Sequence, residues 1–199
     1  YLLAAAQADG ADTVITFGGA HSNHARMTAV GARMVGLAPV LVLTGAPLDP
    51  PVGNLLLDQL AGARVEWVAD FGAARDARVE QLRVELAAAG RRAAWIPGGG
   101  TTPLGAMGYA RAALELRAQC QAEGFCPAAV VCAVGTEGTW RGLRAGAALA
   151  AWPVAVHGVA VATPAERAGF GVGPAGAFFS EMAALLGELR GDLRKRLAP

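Results

Sequence analysis

The run Gly18-Gly19-Ala20-His21-Ser22-Asn23-His24 gathers paired glycines, a hydroxyl, a side-chain amide and two imidazoles at one point of the chain. The glycines permit a tight turn, and Ser22-Asn23 is a pair suited to cap the helix that follows. Amides at a helix start have no intrahelical partner, so with the hydroxyl and the side-chain amide they form an anion cradle. Capping alone also accounts for Ser22 or Asn23, and that simpler role stands beside the binding one. His21 and His24 do not suggest a metal, because no carboxylate or cysteine lies near them to complete a site. A histidine beside an anion cradle serves more naturally as a donor or proton carrier.

A second run, Gly135-Thr136-Glu137-Gly138-Thr139, follows the apolar stretch Ala129–Val134 and precedes a helix. Backbone amides and threonine hydroxyls in that setting suit a phosphate. The run is not a Walker loop, since no Gly-Lys-Ser/Thr follows, and it lacks the glycine spacing of a dinucleotide fingerprint. A third run, Pro97-Gly98-Gly99-Gly100-Thr101-Thr102-Pro103-Leu104-Gly105, allows a ligand to approach the backbone or lets two domains move about a crossover. Both roles are compatible, since pockets often sit at domain junctions. A nucleotide-binding α/β protein would place an acidic ribose-binding residue at the end of its second strand. That position reads Leu43-Thr44-Gly45-Ala46, which argues against it.

These loops need elements to hold them. Strands are expected at Thr13–Phe17, Pro39–Thr44, Arg64–Val68, Ala93–Ile96, Ala129–Val134 and Val154–Ala162, the last as a buried strand. Helices are expected over Asn23–Val35 ending at Gly36, Asn54–Leu60 ending near Gly62, and Ala74–Ala89 with Gly90 past its end. Another opens at Thr102-Pro103, a capping residue followed by proline, a further one follows Thr139, and the last runs from about Gly176 to Leu197. Short apolar strands alternating with helices define an α/β fold of parallel, helix-covered sheets. In such folds ligands bind at the carboxyl ends of strands, where the three runs lie.

Composition narrows the function further. Hydrophobic residues make up 54% and charged residues 17%, so the chain can build a core and is not a solvating tail. A net charge of +1 offers no electrostatic footprint for nucleic acid or an anionic membrane. The uncharged stretch Ala145–Ala165 is interrupted by Pro153 and Gly158 and turns valine-rich, which fits a helix end and a strand better than a membrane span. Cys120, Cys126 and Cys132 lack a paired metal spacing and are expected as reduced, mostly buried thiols of a cytoplasmic protein.

Taken in order, four stretches resemble the D-cysteine desulfhydrase and 1-aminocyclopropane-1-carboxylate deaminase family. They are Gly-Gly-Ala-His-Ser-Asn-His-Ala-Arg (18 to 26), Gly-Asn-Leu-Leu-Leu-Asp (53 to 58), Ile-Pro-Gly-Gly-Gly-Thr-Thr-Pro-Leu-Gly (96 to 105) and Gly-Thr-Glu-Gly-Thr (135 to 139). The likeness extends to about Arg167. It implies a pyridoxal 5'-phosphate enzyme of the tryptophan-synthase-β-like fold type II, with residues 1–98 as a small lobe and 99–199 as part of a larger cofactor lobe. By the same resemblance Asn23 bonds the cofactor's phenolic oxygen, and Ser22 with the amides of Asn23 and His24 holds the substrate carboxylate. The Ser22 hydroxyl assists proton transfer, and Gly135, Thr136, Glu137, Gly138 and Thr139 bind the cofactor phosphate. His24-Ala25-Arg26 is closer to the desulfhydrase branch, whose substrate is D-cysteine, than to the deaminase branch. The complete enzyme is expected to be a homodimer in the cytoplasm.

Three departures stand out. Family members carry the cofactor-bearing lysine just before the counterpart of Tyr1-Leu-Leu, whereas the sole lysine here is Lys195, in the basic run Arg194-Lys195-Arg196. The chain is therefore expected to be a fragment without turnover of its own, and a non-catalytic remnant is the alternative. Glu137 stands where the family has a small neutral residue; a carboxylate about 4 Å from a phosphate charge costs roughly 4 kcal/mol at an effective dielectric near 20. It is expected to point outward, so that Glu137→Gly leaves cofactor affinity nearly unchanged; compensation by Arg141 and weak cofactor binding are the other two outcomes. His21 and Met27 replace glutamines, which makes the substrate less secure than the cofactor.

Overall fold

A computed structural model describes residues 1–163 and 174–196, with side chains at 175 and 188–196 outside that description. Arg167 and Leu197 also fall outside the described residues. The chain divides into two compact units, Leu2–Gly100 and a second from Thr101 onward that includes Tyr1.

In the first unit, β1 (Thr13–Gly19), β2 (Ala38–Thr44), β3 (Arg64–Val68) and β4 (Ala93–Trp95) form one parallel sheet in the order β3-β2-β1-β4. The register pairs Ile15 with Val40 and Phe17 with Val42 across the two central strands. Val14, Ile15, Leu41, Val42 and Leu43 are buried, as continuous apolar runs require when helices cover both faces. Helices α1 (Leu2–Ala8), α2 (Asn23–Met34), α3 (Gly53–Leu60) and α4 (Ala73–Ala88) supply that cover. Alanine makes α2 a close-packing helix: Ala25 and Ala29 lie against Leu41, Leu43 and Leu55, and Ala32 lies against Val14, Leu37 and Ile96. The helix ends where Gly36 takes φ 81°, with the Gly36 and Leu37 amides bonding back to Arg33 and Ala32. Helix α1 is not foreseen by the sequence reading; it is held by Leu2, Leu3 and Ala6 docking on the same cluster.

The second unit begins with α5 (Pro103–Ala122), capped by the Thr102 hydroxyl, which accepts from the Gly105 amide at 3.0 Å. Strands β5 (Ala129–Val134) and β6 (Ala155–Ala160) pair in parallel, and α6 (Gly138–Leu149) crosses between them. A Cβ on Gly142 would sit 2.5 Å from the Ala106 carbonyl oxygen, so α5 and α6 meet at backbone contact. Helix α7 (Ala175–Arg196) closes the core with Phe178 and Met182 against Ala106, Met107 and Ala110. Lys195 lies in its last turn.

Two expectations need correction here. Strand β6 exists, but Ala155, His157, Gly158, Val159 and Ala160 are exposed rather than buried, because β5 is its sole strand neighbour among the described residues. The cysteines are free, yet Cys126 is exposed and Cys120 and Cys132 are only half-buried. The stretch 119–126 that carries Cys120 and Cys126 is a helix end followed by a turn, not core. No described helix is long and apolar enough to cross a membrane.

Candidate functional site

Strand β1 delivers the first run. The Ala20 amide reaches across to the Thr44 carbonyl at 3.0 Å, and the Ser22 amide turns back to Gly19 at 2.9 Å. Ser22 is the cap of α2: its backbone is extended and its Oγ accepts from the Ala25 amide at 3.1 Å. Capping uses only a lone pair, so the hydroxyl proton stays available to another acceptor. The turn depends on Gly18, where a Cβ would fall 2.5 Å from both Cβ and Oγ of Ser22. Asn23 and His24 open the helix, so their amides have no intrahelical carbonyl to bond. A hydroxyl, two amides and the exposed Asn23 side chain therefore lie at one helix start, and every one of them can donate.

The two histidines part company. His21 is exposed, while the His24 ring is half-buried with Nε2 2.8 Å from the Thr16 hydroxyl. Thr16 donates its own proton to the buried Ile96 carbonyl at 2.7 Å. A hydroxyl has one proton, so His24 Nε2 must carry the hydrogen in the second bond and Nδ1 is left unprotonated. Burial pulls the His24 pKa down to about 4. Its ring is thus neutral at pH 7 and its one N–H is committed to Thr16, which removes the side chain as the donor to the cradle that the sequence suggested. Its backbone amide remains.

Two further residues around this turn carried no assigned role in the sequence. Asn54 Nδ2, at the start of α3, donates to the His21 carbonyl at 2.8 Å and to Asn23 Oδ1 at 3.0 Å. Asp58, four residues on along α3, is 1% exposed, and among the described residues neither of its carboxylate oxygens finds a hydrogen-bond partner. Desolvation raises its pKa to about 6, against the opposing charge of Arg26. Both belong to the motif-bearing stretch 53 to 58, and the only sequence signal was a polar residue recurring on an otherwise apolar helix.

The glycine-rich third run is split by its roles. Gly98–Gly100 makes a 3-10 turn in which Gly98 lies against the Phe17 ring, 2.6 Å from a would-be Cβ to Cζ. Thr101 belongs to the second unit, where its hydroxyl donates to Thr136 Oγ1 at 2.6 Å.

The second run sits at the end of β5. Glu137 is the residue before α6 and takes φ 67°, ψ −7°, a left-handed conformation that costs a non-glycine residue roughly 1 kcal/mol. The amides of Gly138 and Thr139 then open the helix. Gly138 has no room for a side chain, because its Cβ would meet the Thr101 hydroxyl at 2.8 Å; Gly135 faces open space. The Glu137 carboxylate is not turned out freely into solvent. Its Oε2 accepts from Arg141 Nε at 3.0 Å and Nη2 at 2.6 Å, one helical turn on. The Arg141 side chain is 4% exposed and its guanidinium also lies 4.6 Å from the centre of the Phe178 ring. Compensation by Arg141, not outward pointing, neutralises the acid. The donor set at this helix start, with open space at Gly135 and the one acidic charge paired, fits a phosphate group.

The comparisons agree with a fold of parallel α/β sheets. The model of the pyridoxal-phosphate dependent enzyme family matches residues 1–192, past the point at which the motifs fade. This chain belongs to that family, whose cofactor is pyridoxal 5'-phosphate. A Pyrococcus abyssi protein provisionally named 1-aminocyclopropane-1-carboxylate deaminase is 39% identical over 169 residues, covering 84% of this chain and 51% of its own length. A D-cysteine desulfhydrase of Salmonella paratyphi A is 40% identical over 151 residues, covering 73% and 45%. The crystal structure of an ACC deaminase homologue superposes with a TM-score of 0.79 at 33% identity, covering 94% of this chain and 55% of that one. That match fixes the fold as type II. The chain spans about half the length of the curated relatives it matches.

Proposed function

We propose that this chain works within a pyridoxal-phosphate-dependent lyase that acts on a small amino acid, with D-cysteine as the substrate. The observation that carries this reading is the start of α2, where the Ser22 hydroxyl, the amides of Asn23 and His24 and the Asn23 side chain all present donors. The cofactor, when bound, supplies an electron sink for the charge that develops at the substrate's Cα. Ser22 and the two amides hold the substrate carboxylate and fix which Cα bond is labile. The Ser22 hydroxyl, still possessing its proton, is placed to donate and recover a proton beside that carboxylate. Asn23 donates to the phenolic oxygen, and Gly135 to Thr139 take the phosphate through the first amides of α6.

The net reaction would convert D-cysteine and water to pyruvate, ammonia and sulfide. The run His24-Ala25-Arg26 and the relative named D-cysteine desulfhydrase support this choice. A second reading, 1-aminocyclopropane-1-carboxylate with water giving 2-oxobutanoate and ammonia, draws support from a relative of that name that aligns over more of the chain. Assay of the full native gene product with both amino acids separates them. Sulfide released from D-cysteine well above a cofactor-only control is the expected result, and 2-oxobutanoate without sulfide selects the second reading. Cofactor-loaded protein that turns over neither would overturn both.

A further inference from the structure

We infer that Asn54 is a positioning residue that presets the Asn23 amide as a hydrogen-bond donor. The inference rests on the proposed role of Asn23 toward the cofactor's phenolic oxygen and extends it to a residue on a different helix. The His21 backbone carbonyl can only accept, so the Asn54 atom 2.8 Å from it is the amide nitrogen. The same nitrogen lies 3.0 Å from the Asn23 side chain, so Asn23 must turn its oxygen toward Asn54. Both hydrogens of the Asn54 NH2 are then engaged. What Asn23 has left to offer a ligand is its own NH2.

Local backbone geometry supports this arrangement. Asn54 follows Gly53, which opens α3 at φ 58°. A Cβ there would make only ordinary contact with the His21 ring, 3.5 Å away, so what glycine supplies is the positive φ with which α3 starts beside the turn before α2. Two bonds from one nitrogen then hold both a carbonyl of the turn before the helix and the first side chain within it. A carboxamide without that anchor can rotate and present its oxygen instead. Toward an electron-rich oxygen, such a rotation replaces an attraction with a repulsion.

Asn54→Asp tests this directly. The replacement has nearly the same shape but can only accept, so it draws the Asn23 NH2 to itself and turns the Asn23 oxygen outward. Two probes are titrated by fluorescence against the native gene product: pyridoxal 5'-phosphate and its 3-deoxy analogue, which lacks the phenolic oxygen. Asn54→Asp is expected to weaken pyridoxal phosphate about 30-fold, as expected for losing one such bond and gaining a repulsion. Affinity for the 3-deoxy analogue should stay within about 2-fold. Equal losses for the two probes mean that Asn54 is only a structural tether, and the inference falls. Asn23→Ala is the control: if it discriminates between the probes while Asn54→Asp does not, the role of Asn23 survives and this inference alone is overturned. If Asn23→Ala affects neither probe, both fall together. Should Asn54→Asp not fold by thermal melting, Asn54→Ala with the same two probes decides, with selective loss expected and equal loss fatal.

Discussion

The starts of α2 and α6 use one device, a helix N-terminus at a strand end, but neutralise it in opposite ways. At α2 every participant is uncharged: Ser22 caps with its oxygen, Asn54 orients Asn23, and His24 is held neutral by burial against Thr16. At α6 the capping position is filled by an acid in a left-handed conformation, and a buried arginine from the same helix cancels its charge. The first arrangement relies on the direction of hydrogen bonds and tolerates little change in shape. The second relies on charge balance and tolerates little change in sign.

The sharpest way to break that contrast is Arg141→Ala. Removing one member of a buried ion pair typically costs 3–5 kcal/mol, because the remaining charge is left without compensation. Here it would also remove the cation lying over Phe178. Urea denaturation of the chain should show a loss of about 3 kcal/mol. Phosphate affinity should fall with it, since the Glu137 carboxylate would then repel an anion at the cradle. A loss below about 1 kcal/mol would class the pair with ordinary surface bridges and remove the distinction. Glu137→Gly, expected from sequence to be nearly silent, becomes informative for the same reason: it relieves a strained φ but removes the carboxylate to which Arg141 donates twice.

The first unit hides a second balance, which pH exposes. Asp58 has its pKa raised from 3.8 to about 6, so the folded state binds its proton more tightly than the unfolded chain does. Its stabilising contribution is complete below about pH 4 and disappears as pH climbs through 6. His24 has its pKa lowered from 6.5 to about 4, so its contribution is complete above pH 6.5 and disappears as pH falls through 4. Each is worth about 3 kcal/mol at most, and over pH 4 to 6.5 they run in opposite directions. The chain's stability should therefore be nearly level across that window. Asp58→Asn should tilt it, making the protein markedly less stable at pH 4.5 than at pH 6.5 in denaturant titrations. A level curve for the variant would mean that the two groups are not the ones being balanced.

Much of the scaffold was legible because local chemistry agrees with the final structure. Thr102-Pro103 opens α5, Gly36 and Gly90 follow their helices with positive φ, and all six strands fall within two residues of their expected ends. What stayed hidden depends on partners distant in sequence. Helix α1 has no cap or periodic signal strong enough to announce it and exists because Leu2, Leu3 and Ala6 find Val14 and Ile96. Asn54 could be read as part of a motif, but its bond to Asn23 spans 31 positions. The identity of Ser22 as a cap was readable, whereas the tautomer of His24 needed the Thr16-to-Ile96 bond, 80 positions apart, to settle which ring nitrogen carries its proton. The acid at 137 was recognised as a departure, but the choice between outward pointing and pairing depended on the burial of Arg141.

Two glycines give the finest test of the same contrast. Gly18 at the α2 cradle is crowded: an added Cβ lies 2.5 Å from the Ser22 side chain, and the cap must shift to admit it. Gly135 at the α6 cradle meets nothing within 4 Å. Gly18→Ala should therefore cost about 1–3 kcal/mol of stability through overpacking and a displaced cap. Gly135→Ala should stay within about 0.5 kcal/mol of the parent, as substitutions that meet no neighbour do. Binding should rank them the other way at the phosphate end, because the methyl group at 135 grows into the space an anion would use while leaving the helix-start amides intact. Inorganic phosphate titrations followed by NMR of the Gly138 and Thr139 amides would read this out, with a weakened response expected for Gly135→Ala and none for Gly18→Ala. If both variants lost stability equally and neither changed the amide response, the two helix starts would be alike in construction and Gly135 would be no part of a cradle.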